Sequence, residues 1–165
     1  MIQTERLVLR PMSPDDADAA VALLTDAEVG RSYMLADFET PQQAYELFDR
    51  LCALSNDEFR FVRGIYLDDA WIGMINDVEI KPPCIELGYA LLPAYHGHGY
   101  ATEALHGAIL ALLSRGYTEI RAGAFEQNIA SIRVMQKNGM QRIDHTEDIT
   151  YRGETLHCVF YSYQR

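Results

Sequence analysis

Long apolar runs are missing from these 165 residues; none approaches the roughly 20 needed to cross a bilayer. The opening Met1-Ile2-Gln3-Thr4-Glu5-Arg6 has no basic stretch running into an apolar one, so no signal peptide is expected. Cysteine is sparse. Cys52, Cys84 and Cys158 stand alone and odd in number, which excludes a disulfide frame or CxxC metal site and points to core thiols in a reducing, cytoplasmic setting. Basic charge is short: 14 Lys and Arg against 24 Asp and Glu leave −10, which argues against a nucleic-acid surface. With no repeat, low-complexity segment or linker, residues 1–165 read as a single domain able to bury its own core.

The charge that is present lies unevenly. Residues 1–95 carry 7 basic and 17 acidic side chains, whereas residues 96–165 carry 7 of each and all five histidines (His96, His98, His106, His145, His157). Two readings stay open. Either the second part meets an anion and the first a cation or amine, or the first part wears a solvated acidic surface.

Residues 4–10 read as a strand. Ser13-Pro14-Asp15-Asp16 then caps a helix with an apolar stripe of Ala17, Ala20, Val21 and Leu24. Thr40-Pro41-Gln42-Gln43 repeats the device ahead of Ala44, Leu47, Phe48 and Leu51, after a loop holding Gly30, Arg31, Tyr33 and Met34. Residues 59–67, 71–80 and 84–92 read as three strands. Their links, Asp68-Asp69 and Lys81-Pro82-Pro83, are too short for anything but antiparallel hairpins. A helix follows from about 100 to 114, then a strand at 118–125. Asn128 opens a short helix that ends at Asn138-Gly139, and a hairpin of 140–149 and 154–163 turns at Arg152-Gly153. The helix between strands 84–92 and 118–125 makes those two parallel, so the chain reads as one α/β domain with a mixed sheet.

The stretch from Glu86 to Ala104 passes from a strand through a turn of small residues into a helix N-terminus. Gly97, Gly99 and Ala101 leave free backbone N–H groups open to a bulky anion such as a phosphate or pyrophosphate, although an ordinary tight turn has the same look. The phosphate-loop pattern GxxxxGK[ST] is absent. The dinucleotide pattern fails at its third glycine, where Thr102 stands, and Glu119 opens the next strand instead of ending it.

His96-Gly97-His98-Gly99-Tyr100-Ala101 resembles the (Q/R)-x-x-G-x-(G/A) pyrophosphate loop of the GCN5-related N-acetyltransferases. Asn128-Ile129-Ala130-Ser131, continuing to Gly139-Met140, resembles their N-x-x-S/A…G-F segment. The opening Thr4–Pro11 and the run Gly97–Ala104 look most like the RimJ/RimL-type branch, which acetylates ribosomal-protein N-termini. The resemblance spans nearly the whole chain. It implies a mixed, mostly antiparallel sheet of about seven strands flanked by four helices, with acetyl-CoA in a cleft between the strands near 84–92 and 118–125. His96, Gly97, His98, Gly99, Tyr100, Ala101 and Thr102 would hold the pyrophosphate, Leu91 and Leu92 the pantetheine arm, and Asn128 and Ser131 the thioester end. Glu86 would serve as the base, with Ser131 as acid or thiolate partner. Tyr33 and Met34, together with Glu86, would meet the acceptor. Glu86 as an exposed strand carboxylate and Ser131 as a helix-turn residue remain the plain alternatives; Tyr89 and Tyr95 are further candidates.

Two departures from the family pattern stand out. His96 takes the place of Gln or Arg, and Met135 the place where many members carry an acidic tyrosine. They keep a second function open, a non-catalytic acyl-CoA sensor, and the loop alone allows a third, a nucleotide binder. His96 and His98 have no neighbouring carboxylate or cysteine to complete a metal site, so no metal is expected. The expected acceptor is a cationic amine: a peptide N-terminus, a polyamine or an aminoglycoside. No nucleic acid or membrane is expected as partner. A monomer and a homodimer are both open, the last hairpin offering an edge.

Overall fold

The computed structural model describes residues 1–165. Eight strands, β1 (Ile2–Gln3), β2 (Leu7–Arg10), β3 (Val62–Leu67), β4 (Ala70–Lys81), β5 (Cys84–Leu91), β6 (Glu119–Phe125), β7 (Gln141–Tyr151) and β8 (Glu154–Gln164), make one sheet in the order β1-β2-β3-β4-β5-β6-β8-β7. Helices α1 (Ala17–Leu24), α2 (Pro41–Ser55), α3 (Tyr100–Ser114) and α4 (Ile129–Lys137) cover it. Every neighbouring pair is antiparallel except β5 and β6, which α3 joins in parallel.

The capping boxes form. Ser13 and Asp16 close a 3-10 turn ahead of α1, and Thr40 with Gln43 opens α2. Asp68 and Asp69, at φ 47 and 67, turn the β3–β4 hairpin, and Arg152 and Gly153 turn β7–β8 at φ 50 and 81. One core, with Leu7, Ile75, Leu87, Leu105, Leu112 and Ile120, lies under α3 and α4. A second, with Leu23, Phe48, Tyr66, Trp71 and Met74, lies under α1 and α2. No helix is long and apolar enough to cross a membrane.

The strand expected at 4–10 forms as β2 from Leu7, residues 4–6 turn, and Ile2–Gln3 pairs back on it as β1, so the sheet has eight strands where about seven were expected. Glu103, in the first turn of α3, imposes the turn. It accepts from Thr4 Oγ1 at 2.6 Å, Arg6 N at 2.6 Å and Arg6 Nε at 2.7 Å, while Thr4 N donates to Leu7 O. A residue so distant in sequence leaves no local signal.

Candidate active site

Strands β5 and β6 pair only from Cys84↔Glu119 to Leu87↔Ala122. Beyond that, β5 stays with β4 as far as Gly73↔Leu91, and β6 stays with β8 as far as Phe125↔Cys158. The two strand ends therefore part, and a cavity of about 520 Å³ opens between them. Leu92 N donates to Ile72 O on β4. By strand alternation the backbone groups of Tyr89 and Leu91 face the other way, into the gap. Leu92 thus faces away from the place expected of it, and Tyr89 takes that position.

The loop after β5 is held from both sides. His96 Nε2 donates to Leu91 O at 2.8 Å, and Arg6 donates to His98 O at 3.1 Å while lying 4.6 Å from the centre of the Tyr100 ring. Burial pushes the Glu103 carboxyl up, but the hydrogen bonds from Thr4 and Arg6 outweigh it and hold that carboxyl below its usual value. Asn138 Nδ2 donates to Thr102 O at 3.1 Å, tying α4 to the same turn. Gly97 and Gly99 sit at φ 78 and 83, a region that disfavours any side chain. No amide from Gly97 to Thr102 donates within the protein; the first of α3 to do so is Glu103, to Gly99 O. A Cβ built on Gly97 would meet nothing within 4 Å, so the turn is open on that side. His98 stacks on Tyr100 at 5.7 Å, whereas His96 bonds Leu91 O. His98, Gly99, Tyr100, Ala101 and Thr102 form the turn beside the cavity, whereas His96, Gly97, Leu91, Asn128, Ser131, Glu86, Tyr33 and Met34 line it.

Asn128 caps α4, its Oδ1 accepting from Ser131 N at 3.1 Å, which leaves its Nδ2 free. Across the gap Tyr89 Oη lies 2.9 Å from Ser131 Oγ and 3.3 Å from Ser131 O. Burial pushes the Tyr89 hydroxyl up to about 12, so it keeps its proton at neutral pH. Tyr95 lies outside the cavity lining. Met135 is 0% exposed in the core under α4, so that site serves packing. Met135→Ala is expected to cost about 2–5 kcal/mol in denaturant unfolding.

Glu86 makes no hydrogen bond or ion pair. Burial, then the like charges of Glu147 and Glu79, push its carboxyl above the usual value, with His145 and Arg121 opposing. Cys158, which no sequence signal marked, also lines the cavity. Burial and then the charges of Glu147 and Glu86 push its thiol up to about 11. Tyr33 donates to Asn76 Oδ1 at 2.7 Å.

A family model for the acetyltransferase (GNAT) domain matches residues 6–141. YoaA, an uncharacterised N-acetyltransferase of Bacillus subtilis (strain 168), is 29% identical over 160 residues, 94% of this chain and 90% of that protein. An uncharacterised N-acetyltransferase of Bacillus licheniformis, p20, is 28% identical over 155 residues, covering 86% of this chain and 85% of its own. The fold is shared with a GNAT-family acetyltransferase of Bacillus anthracis at TM-score 0.84 and 22% identity, covering 99% of this chain and 97% of the other. It is shared equally with RimL, a ribosomal L7/L12 α-N-protein acetyltransferase solved with coenzyme A, at TM-score 0.84 and 16% identity over 98% and 95% of the two chains. The chain belongs to the GNAT acetyltransferase family and is an N-acetyltransferase that uses acetyl-CoA as co-substrate.

Proposed function

We propose that this protein transfers the acetyl group of acetyl-CoA to a primary amine by direct attack in a ternary complex. The observation that carries it is one cavity with an unpaired, proton-hungry carboxylate, Glu86, and a protonated hydroxyl pair, Tyr89 and Ser131, on its walls. Acetyl-CoA supplies the acetyl thioester. The amides of residues 97–102, which have no partner within the protein, hold its pyrophosphate, aided by the positive end of α3. The cleft-facing backbone of Tyr89 and the N–H of Leu91, whose carbonyl already accepts from His96, hydrogen-bond the pantetheine arm as an added strand would, and Asn128 Nδ2 donates to the arm. A cleft-facing N–H of β5 stabilises the charge that gathers on the acyl oxygen.

Glu86 takes a proton from the incoming ammonium, directly or through one water, which frees the nitrogen lone pair. The N–C bond forms and the C–S bond breaks. Tyr89, backed by Ser131, gives its proton to the leaving sulfur and regains one from solvent. The amine sheds two protons in all, one matched by the thiol and one released. Cys158 keeps its proton at neutral pH and so is a poor nucleophile, which supports direct transfer over an acyl-enzyme.

The departures behind the sensor reading do not empty the site. His96 still donates, at Leu91 O, and Tyr89 with Ser131 supplies a hydroxyl that Met135 lacks. Thiol release from acetyl-CoA that depends on an added amine tests the function; binding with no release for any amine would leave the sensor reading standing. Tyr89→Phe is expected to lower kcat on the order of 100-fold, with acetyl-CoA affinity nearly unchanged. An unchanged kcat would remove Tyr89 from the reaction.

A further inference from the structure

The turn between β1 and β2 meets the N-terminal end of α3, although the two lie almost a hundred residues apart. It is seated closely. A Cβ added at Gly107, one turn further along α3, would lie 2.8 Å from the Thr4 methyl and 3.5 Å from Ile2. The bare backbone at Gly107 lets the hairpin come down onto the helix.

Glu103 is the centre of this contact. It stands in the first turn of α3, and its carboxylate takes its bonds from the hairpin. Oε1 accepts from Thr4 Oγ1 and Arg6 N at 2.6 Å each, and Oε2 accepts from Arg6 Nε at 2.7 Å. Burial raises the carboxyl, but the bonds from Thr4 and Arg6 outweigh that, so Glu103 is charged at neutral pH. An acid in that turn suits the positive end of a helix. It opposes a second anion held at the same end, because like charges repel. Arg6 supplies the cancelling charge.

The same guanidinium reaches the loop after β5. While Nε bonds Glu103, Nη1 donates to His98 O at 3.1 Å, two bonds that the planar fork of an arginine makes at once. The 98–99 peptide is trans, so its N–H points opposite to its carbonyl. Holding His98 O therefore fixes the direction of the Gly99 N–H, one of the amides with no partner in the protein. The loop brings no permanent cation of its own: between Lys81 and Arg115 the chain has neither lysine nor arginine.

From this arrangement we infer that Arg6 is a positioning residue for acetyl-CoA: it sets the amides of the loop and cancels the Glu103 carboxylate, so that a pyrophosphate can be held at α3. This rests on the reading of the loop given above and adds to it a residue from the other end of the chain.

The test compares dissociation constants for acetyl-CoA, read by calorimetry, and for S-acetylpantetheine, read by NMR titration. The second ligand has the thioester arm but no pyrophosphate. Wild type should bind acetyl-CoA the more tightly. Arg6→Met should weaken acetyl-CoA by on the order of tenfold, the effect of one uncancelled charge about 10 Å away at a protein surface, and leave S-acetylpantetheine within about twofold. Arg6 is exposed, so the variant should fold, and its melting temperature checks this. Adding Glu103→Gln to Arg6→Met should restore most of the lost affinity, since no carboxylate is left to cancel. Equal losses for both ligands would make Arg6 a general prop of the fold and overturn the inference, leaving the loop as the pyrophosphate site. Unchanged acetyl-CoA binding in the single variant would also overturn it. A folded double variant that regains nothing would overturn the cancelling of Glu103. A wild type that binds the two ligands alike would overturn the pyrophosphate reading of the loop and the inference with it.

Discussion

Gly99→Glu is expected to weaken acetyl-CoA binding by on the order of 10⁴-fold in calorimetric titration. Two physical effects add. Gly99 holds φ 83, where a side chain costs about 1–2 kcal/mol. The new carboxylate would also stand among the amides that face the pyrophosphate, and two unit charges about 4 Å apart at a protein surface repel by roughly 4 kcal/mol. Its Cβ would lie 3.5 Å from an Arg6 nitrogen, so the added acid would also compete with Glu103 for the guanidinium that steadies the turn. Gly99→Ala separates the contributions. It carries the strain without the charge and is expected to lose only about tenfold, from the same backbone penalty. A Glu variant that stays folded and binds acetyl-CoA as the wild type does would show that the loop after β5 is only a turn.

Glu86→Gln is the second large effect. It leaves the shape of the cavity nearly unchanged and removes the only unpartnered carboxylate on its wall. A positioned proton acceptor contributes about 10²–10⁴ in rate, so kcat/KM should fall by that factor with acetyl-CoA affinity preserved. The pH profile gives an independent sign. The Glu86 carboxyl is raised by burial and then by Glu147 and Glu79, so the acid limb of kcat/KM should lie above the ordinary carboxylate range. Stability should move the opposite way to activity. The folded protein holds the Glu86 proton more tightly than the unfolded chain does. The resulting stability is present below the ordinary carboxylate pKa and is lost as pH rises through the raised one. Glutamine escapes that loss. The variant should melt higher than the wild type at pH 8, with the gap closing toward pH 4. A variant that is inactive but no more stable would place Glu86 in the reaction without the burial described here. A variant of full activity would remove it from the reaction.

Much of this site was legible because its signals are local. The Asp68-Asp69 and Arg152-Gly153 turns, the caps at Ser13, Thr40 and Asn128, and the small residues ahead of α3 each encode a backbone shape within a few positions. From them came the element order, the parallel β5–β6 pair and the turn ahead of α3. The features that escaped are made by distance in sequence. Glu103 folds residues 4–6 into a turn from 97 to 99 positions away in the sequence. Tyr89 was one tyrosine among ten until β5 and α4 brought it 2.9 Å from Ser131. The phase of β5 depends on the bond from Leu92 to Ile72, and that phase exchanged Leu92 for Tyr89 in the gap. Cys158 and Val78 reach the cavity through strand pairing and a bulge that alternation alone does not announce.

Direct transfer is tested most plainly by initial rates over a grid of acetyl-CoA and amine concentrations, with thiol release as the readout. Double-reciprocal lines that converge are the expected result, since both substrates must be bound before Glu86 and Tyr89 act. Parallel lines would contradict it. They would mean that the acetyl group is first carried by the protein, and Cys158, the thiol lining the cavity, would become the residue to replace.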